Sequence, residues 1–292
     1  MSENIRVSYL TTNYNKNDVI KESIESLLAD LPTDGELIVV DGGSTDGSID
    51  TLRELESAND RLHVHVEKSN LGEGRQRAVN ISNGDILVQH LDTDRRYEPH
   101  VSTLVDIFES TEKEQNISDL VLMTFDSIYI MRSDTMDTIG SWPPIARVEE
   151  RIFVDRIENN ASPRILPIQI SEELPSADRD TLKGRLSTWR DTSRDLARAG
   201  FSLQQLIKWN HNEFPLWKAI AADFVSIYGV LLSILSETYT TKRESWRLIT
   251  SWQSRYVATE SGRERYTEIK LAVPNSLDIY TTDIEKKYSN KK

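Results

Sequence analysis

Cysteine is absent from the 292 residues, and the 12 glycines and 9 prolines are scattered without a fixed period. The absence of cysteine excludes a disulfide framework, thiolate metal sites and cysteine nucleophiles, so a metal ligand must be an oxygen or an imidazole nitrogen. The five histidines show no metal-ligand spacing. The scattered glycines and prolines exclude a fibrous repeat, and we therefore expect a globular chain whose metal ligands, where it has them, are oxygens.

Positive charge is also in deficit. Lysine and arginine number 35 against 47 aspartates and glutamates, which gives a net charge of −12. An acidic chain repels polyanions, so we expect no nucleic-acid partner. The first six residues lack the basic segment and apolar run of a secretory signal, which predicts a cytoplasmic protein.

Short apolar runs alternate with segments of helical periodicity over the first hundred residues. Between residues 20 and 31, apolar side chains recur every three or four positions, which is typical of an amphipathic helix. Strands that alternate with helices predict an α/β fold, a mostly parallel sheet with helices on both faces and ligands at the carboxyl ends of its strands. The predicted strands cover residues 5–10, 36–40, 62–66, 86–91, 120–125 and 127–132.

Three prolines amid polar residues between positions 158 and 180 indicate a domain boundary. We predict a ligand-binding and catalytic domain over residues 1–170. A mainly helical region over residues 171–292 would then serve the second substrate, a membrane contact or an interface between copies of the chain.

The most apolar stretch of this helical region, residues 216–235, approaches the ~20 residues that span a bilayer. Asp223 interrupts it, so we expect a helix packed in the protein in preference to a peripheral membrane contact, and either in preference to a span. The tryptophans of the region are expected to pack inside: Trp209, Trp217, Trp246 and Trp252.

Two carboxylates, Asp92 and Asp94, directly follow an apolar strand in the sequence L-D-T-D. Hard oxygen ligands in such a pair suit Mg²⁺ or Mn²⁺, which bind one or two carboxylates together with the phosphates of a substrate. A solvated acidic turn is the alternative explanation.

Two glycine-containing segments add to this signal. Asp41 and the glycines at 42 and 43 follow a buried strand, where glycine lets the backbone approach a flat ligand and the carboxylate can accept from a nucleobase N–H or a ribose hydroxyl. Residues 70–80 open a helix with two glycines and with Arg75 and Arg77, a combination suited to a diphosphate. A capped turn before a helix remains the alternative for the first segment.

Together these segments resemble the inverting family 2 glycosyltransferases of the GT-A fold over about residues 5–157. Residues 36–48 match the family's E-I-I-V-V-D-D-G-S-T-D-G-T stretch, except that glycine replaces the second aspartate. Residues 7–15 are similar to its opening strand and P-T-Y-N loop. Residues 70–80 are similar to a shortened N-x-G-x-x-x-A-R-N region, and residues 84–94 to the strand that leads into its D-x-D.

The resemblance implies a binding site for a nucleotide-diphosphate sugar. By it, Asp41 holds the nucleobase or ribose, Asp92 contacts the ribose side, and Asp94 binds the Mg²⁺ or Mn²⁺ that bridges the diphosphate. Asp92 is also a candidate metal ligand. The other donor-binding residues that it implies are Thr12, Asn13, Tyr14, Gly43, Gly72, Arg75, Arg77 and Thr93.

The family's G-E-D-x-x-L-x-x-R-L signature is similar to residues 148–157. The resemblance implies that Glu150 is the general base, with Glu149 beside it as the alternative if the register is shifted by one. A carboxylate near the acceptor hydroxyl can take its proton as the glycosidic bond forms. Trp142 lies where the family lines its acceptor site, and it either stacks on a sugar or belongs to the core.

We therefore expect a metal-assisted, inverting hexosyltransferase whose acceptor is a glycan, a lipid-linked molecule or a protein. Two alternatives stay open, a nucleotidyltransferase on a related sheet and a catalytically silent protein that binds sugar nucleotides. The sequence has neither a P-loop nor a G-x-S-x-G motif, which disfavours a nucleoside triphosphatase and a serine hydrolase.

Overall fold

An eight-stranded sheet flanked by helices forms the body of the computed structural model, which describes residues 5–175, 182–234 and 267–268. The strands are β1 (Val7–Asn13), β2 (Gly35–Asp41), β3 (Leu62–Val66), β4 (Ile86–Asp92), β5 (Arg95–Tyr97), β6 (Leu120–Thr124), β7 (Tyr129–Arg132), β8 (Ser162–Leu166), β9 (Ser171–Glu173) and β10 (Thr267–Glu268). The helices are α1 (Ile20–Ala29), α2 (Ser48–Ala58), α3 (Leu71–Ile81), α4 (Val101–Gln115), α5 (Thr135–Ile139), α6 (Glu149–Asn160), α7 (Leu182–Arg198), α8 (Leu203–Glu213) and α9 (Leu216–Ile234).

The strand order of the sheet is β10-β8-β6-β7-β4-β1-β2-β3. Only β7 runs antiparallel to its neighbours, β4 and β6. The prediction of a mostly parallel, helix-covered sheet is confirmed. Because the chain goes from β1 to β2 on one side and returns to β4 on the other, a crevice opens at the carboxyl ends of these strands.

Both faces of the sheet are buried, which explains why its strands are near-continuous apolar runs. Alternate residues of β2 divide between two core clusters, with Leu37 and Val39 on the α1 side and Ile38 and Val40 on the side of α3 and α6. This is the period-2 alternation of a strand covered on both sides. The sheet is therefore a rigid platform for the loops at its carboxyl edge.

The predicted mainly helical region is confirmed by α7, α8 and α9, and it also contains two short strands. Residues 171–173 form β9, which pairs with β5, and residues 267–268 form β10, which pairs in parallel with β8. The sequence did not indicate them because such short strands carry too few residues to show a period. The boundary at residue 170 stays a prediction.

Helix α9 is packed on one face only, which corrects the expectation of a packed helix. Its small residues lie against α7, where a Cβ on Gly229 would be 2.7 Å from the carbonyl oxygen of Arg190. Its exposed positions are apolar apart from Lys218, and by length and composition it is the one described helix able to cross a membrane. The exposed large side chains are Leu216, Trp217, Ile220, Phe224, Ile227, Tyr228, Leu231 and Ile234.

The predicted burial of the tryptophans is therefore only partly realised. Trp209 is partly buried against a core cluster beneath α6, but Trp217 is 70% exposed. Trp246 and Trp252 lie outside the described residues. Asp223, which interrupts the apolar stretch in sequence, faces α8, where it accepts hydrogen bonds from Asn210 at 2.9 Å and pairs with His211 at 2.8 Å.

Candidate active site

The turn after β4 holds Asp92, Thr93 and Asp94 in a fixed arrangement. The backbone N–H of Asp92 donates to the hydroxyl of Tyr97 at 2.6 Å, and this hydroxyl lies 3.3 Å from the Asp92 carbonyl oxygen. The buried hydroxyl of Thr93 contacts the side-chain oxygen of Asn13 at 3.0 Å. Because backbone and side chain are both anchored, the two carboxylates have defined positions at the edge of the sheet.

Three cationic side chains surround this pair of carboxylates. Lys16 Nζ lies 3.3 Å from Asp94 Oδ2, and Arg75 Nη2 lies 3.4 Å from Asp92 Oδ1. Arg95 Nε lies 3.7 Å from Asp92 Oδ2. The site is therefore built around charge, with three cationic side chains close to the two carboxylates although the chain as a whole is acidic.

The same turn offers two carboxylates to a metal ion. Among the described residues no group of three or more acidic or histidine side chains is arranged to hold a metal. Two carboxylates are nevertheless enough for Mg²⁺ or Mn²⁺ when substrate phosphates supply further oxygens. The side chain of Asp92 is 31% exposed, so it can reach such a shared ion, whereas Lys16 already lies on Asp94. The carboxylate oxygens of Asp92 and Asp94 therefore fit a divalent metal that arrives bound to the phosphates of its substrate.

Asp41 organises the loop after β2. Its fully buried carboxylate accepts hydrogen bonds from the backbone N–H groups of Gly43 and Ser44, the hydroxyl of Ser44 and the side-chain amide of Asn13. Gly43 has φ of +91°, a left-handed conformation that favours glycine. All four lone-pair positions of Asp41 are used inside the protein, so its contact with a nucleobase stays a prediction that requires one of these bonds to be exchanged.

Asn13 connects three of the loops that the sequence predicted to meet. Its amide nitrogen lies 2.6 Å from Asp41 and its oxygen 3.0 Å from Thr93. Thr12, beside it in β1, lines a cleft between α3 and β4, and Tyr14 is 60% exposed at the mouth of the loop. The predicted donor-binding residues of β1, β2 and β4 are therefore brought together.

Arg75 connects the turn formed by Asp92, Thr93 and Asp94, called the aspartate turn below, to the start of α6. Its Nη2 is 3.4 Å from Asp92 and 3.7 Å from Oε1 of Glu149, and its guanidinium lies 4.9 Å from the centre of the Trp142 ring. Nε and Nη1 are buried and have no hydrogen-bond partner in the described parts of the chain. Buried N–H donors left unpaired are costly, so this guanidinium is suited to receive anionic oxygens of a ligand.

Two other donor-site predictions on α3 need correction. Arg77 lies two residues after Arg75, hence about 200° around the helix, and forms a surface ion pair with Glu67 at 3.1 Å. Gly72 serves packing, because a Cβ there would lie 1.8 Å from the carbonyl oxygen of Pro143. Neither residue contacts the aspartate turn through a described side-chain bond.

The expectation that Trp142 stacks on an acceptor sugar is also corrected. Its ring stacks on Phe153 at 3.8 Å, the guanidinium of Arg75 lies over it, and its indole N–H donates to Gln89 at 2.7 Å. Trp142 is 2% exposed and belongs to the core. Its ring therefore packs against the guanidinium of Arg75 and supports it.

Glu149 and Glu150, called the acid pair below, are the first two residues of α6. Val148, the residue before it, has φ of +59°, an unusual conformation for a β-branched residue that fixes where the helix starts. Glu149 is buried, and this burial, only partly opposed by Arg75, raises the pKa of its carboxyl to about 7. Glu150 is more accessible, with its side chain 30% exposed. The two neighbours therefore have different surroundings.

Sequence comparison with known families identifies the family to which the region around this site belongs. A family model described as "Glycosyl transferase family 2" matches residues 8–162, more than half of the 292 residues. The chain belongs to this family. The matched region contains β1 to β7, the aspartate turn, Arg75 and the acid pair.

Relatives of this family 2 chain match it over short regions. An uncharacterized glycosyltransferase of Nostoc sp. (strain PCC 7120) is 30% identical over 112 residues, 37% of this chain and 34% of that protein. The putative teichuronic acid biosynthesis glycosyltransferase TuaG of Bacillus subtilis (strain 168) is 34% identical over 93 residues, 31% of this chain and 36% of that protein. The chain thus spans about a third of the length of the curated relatives it matches.

The crystal structure of TarS from S. aureus has the same fold, with a TM-score of 0.52 and 16% identity. The alignment covers 97% of this chain and 55% of that one. The GT-A fold expected from the sequence is therefore confirmed.

Four residues of the family 2 site escaped the sequence analysis. Lys16 pairs with Asp94, Tyr97 holds the turn, and Tyr129 donates to Glu150 at 2.6 Å. Asp195 of α7 is fully buried and accepts hydrogen bonds at 3.0 Å from two consecutive backbone N–H groups, at residues 146 and 147, just before α6. Lys16, Tyr129 and Asp195 act through contacts distant in sequence, which no local spacing indicates, and Tyr97 acts on the backbone of Asp92 at a separation of five residues that forms no motif.

Proposed function

We propose that this chain transfers a sugar, a hexose in the simplest case, from a nucleoside-diphosphate sugar to an acceptor hydroxyl, with inversion at the anomeric carbon. One observation carries the proposal. Arg75 Nη2 lies within 3.4 Å of Asp92 and 3.7 Å of Glu149, so the nucleotide side and the acid pair belong to one site. The buried Nε and Nη1 of the same guanidinium have no hydrogen-bond partner among the described residues, which supports a role for Arg75 in holding the diphosphate.

Asp94 and Asp92 are the residues that would hold a divalent cation. Such an ion, when bound, neutralises the charge that develops on the departing diphosphate. Lys16 and Arg95 orient the two carboxylates, and Arg75 adds a fixed positive charge on the same side. Stabilising the leaving group in this way is the larger part of the catalysis that we propose.

Glu150 is the proposed general base. As the acceptor oxygen bonds to the anomeric carbon, the bond from that carbon to the diphosphate oxygen breaks and the hydroxyl proton passes to the Glu150 carboxylate. A single displacement of this kind inverts the configuration and leaves no covalent sugar on the protein. Glu149, buried against Arg75, is assigned to the binding of that arginine.

Release of nucleoside diphosphate tests the proposal. The purified chain is incubated with Mn²⁺ and a panel of nucleotide sugars, first alone and then with simple glycosides as acceptors. Slow release of nucleoside diphosphate supports sugar transfer or its hydrolytic leak. Pyrophosphate from a nucleoside triphosphate would instead indicate a nucleotidyltransferase, and binding without turnover would indicate a silent protein.

The metal role is tested separately by thermal unfolding of Asp94→Ala. In the parent, nucleoside diphosphate with Mn²⁺ should raise the stability by about 2.7 kcal/mol at a hundred times the Kd, and the variant should lose this gain. Asp85→Ala, an exposed aspartate elsewhere on the sheet, is the control. Equal ligand-induced shifts in parent and Asp94→Ala would remove the metal role from Asp94.

Helix α9 supports the acceptor and the location that we propose. Apart from Lys218, its exposed face is apolar along a helix of 19 residues, about 28 Å, and its one acid, Asp223, points toward α8. We place the protein at the cytoplasmic face of a membrane, touching lipid through this face and using a lipid-linked acceptor. The apolar side chains supply the affinity, because burying them in the interfacial region removes them from water.

A further inference from the structure

Strand β4 carries one extra residue where it approaches the site. Gln89 and His90 together oppose the single residue Leu10 of β1, which makes a β-bulge. His90 has φ of +65°, in the left-handed region. Such a conformation is unfavourable for a residue other than glycine and persists only where the surroundings hold it. Bulges next to active sites re-aim side chains, and this one directs both residues toward Trp142.

The bulge places the imidazole of His90 beside the acid pair. Its Nε2 lies 3.8 Å from Oε2 of Glu150, and its ring meets the ring of Tyr129 edge to face at 5.5 Å. The hydroxyl of Tyr129 donates to the other oxygen of the same carboxylate, Oε1, at 2.6 Å. Glu150 is therefore contacted on both oxygens, from two different strands.

We propose that Tyr129 and His90 are positioning residues for Glu150, an inference that rests on the proposed function. A glutamate side chain has three rotatable bonds, and a base that can swing away spends little time near its substrate. Tyr129 fixes Oε1 by a short, charge-assisted hydrogen bond. His90 stands at Oε2 beyond hydrogen-bond distance, so Oε2 is the oxygen left to take the acceptor proton.

The test is a double-mutant cycle on turnover, measured as nucleoside diphosphate release from the donor that the parent uses. Tyr129→Phe should lower kcat about tenfold or more, as expected for loss of a hydrogen bond to a charged group, with the donor KM within about twofold of the parent. The same change in a Glu150→Gln background should cause no further loss. His90→Asn, which tolerates the left-handed backbone, should show the same pattern with a smaller effect.

Tyr9→Phe is the matched control, since Tyr9 is buried in the core on the α1 side and its hydroxyl makes one hydrogen bond among the described residues, to the Asp30 carbonyl oxygen at 3.4 Å. A purely structural role for Tyr129 would give equal losses in both backgrounds or a raised KM, and either result overturns the inference. A parent that releases no diphosphate from any donor overturns the proposed function instead. An active parent with additive effects overturns this inference alone.

Discussion

The carboxyl edge of the sheet buries charged side chains, whereas the helical region α7–α9 exposes large apolar ones. At the sheet edge, Asp41, Arg75 and Glu149 are buried charged groups held by polar partners. In α9, small residues such as Ala222 are buried while Phe224 is 70% exposed. Burying charge is costly, and exposing a large apolar face is rare in a monomer, so both features indicate function. The edge of the sheet groups the residues proposed for the chemistry, and α9 carries the surface proposed for contact.

The two regions meet at one point. Asp195 of α7 binds the backbone just before α6, and Leu196 and Phe201 pack beneath Ile152 of that helix. The helical region therefore supports the acid pair as well as presenting its own surface. This dual role explains why its burial pattern is not that of a simple amphipathic bundle.

If the sheet edge is the chemical part, the largest effect follows from removing the base. Glu150→Gln keeps the size of the side chain and removes the proton acceptor, so turnover should fall ~10²–10⁴-fold while donor affinity stays unchanged. The measurement is nucleoside diphosphate release together with calorimetric binding of the donor. Glu149→Gln is the matched variant. Activity that survives the first change and not the second would move the base to Glu149.

If α7 supports α6, Asp195→Ala should strongly lower the stability of the chain. This is the second-largest effect that we expect, after the loss of turnover on removal of the base. The substitution removes the acceptor of two backbone N–H groups and the nearer ion-pair partner of Arg194, at 3.0 Å, leaving the 3.5 Å contact of Arg194 with Asp191. Breaking such a buried network should lower the free energy of unfolding by about 3–5 kcal/mol in urea. Asp191→Ala, on the same helix but 20% exposed, should cost below about 1 kcal/mol. Similar losses for both variants would contradict a supporting role.

The sequence predicted those parts of the site that depend on local order along the chain. Asp92 and Asp94 directly follow a predicted strand, and the acid pair lies at the start of a helix. The topology then brings the carboxyl ends of the strands together. The bulge at His90 was invisible because a strand buried on both faces has no alternating pattern in which one extra residue would show. Lys16 and Asp195 act across the fold, so only packing reveals them.

Three site assignments do not fit the geometry, and Gly72 is one of them because it serves packing. The other two, Arg77 and Trp142, have different causes. Arg77 fails on helix geometry alone, since residues two apart do not share a face. Trp142 fails on burial, because a tryptophan in a loop beside a helix is as suited to the core as to a ligand. Its partner Phe153 lies eleven positions further on, in a different element.

A smaller effect is expected from pH, again at the sheet edge. The Glu149 carboxyl has its pKa raised by burial from 4.5 to about 7, so the native state binds more protons than the unfolded chain between these values. The contribution of Glu149 to stability is therefore greatest below pH 4.5 and falls by up to about 3 kcal/mol as the pH rises to 7. The difference in unfolding free energy between parent and Glu149→Gln should follow this curve. A difference that does not change with pH would place Glu149 in a solvated environment.

The smallest effects should come from α9, and they should differ between its two faces. Gly229→Ala puts a Cβ 2.7 Å from the Arg190 carbonyl oxygen and 2.8 Å from Ser193 Cβ, and this overpacking should cost ~1–3 kcal/mol in spite of alanine's better helix propensity. Phe224→Ser, on the exposed face, should change the stability by less than about 0.5 kcal/mol, as surface substitutions do. It should nevertheless weaken flotation of the full chain with lipid vesicles.

These outcomes separate lipid from protein as the occupant of the exposed face. A lipid contact leaves the stability of the chain in solution independent of Phe224 and of protein concentration, because nothing covers the side chain before the membrane does. A second copy on the same face would make Phe224→Ser dissociate an oligomer in sedimentation experiments and would make the unfolding midpoint depend on concentration. Vesicles that fail to carry the parent at low and at high salt, together with such a concentration dependence, would replace the membrane contact with an interface between copies of this chain.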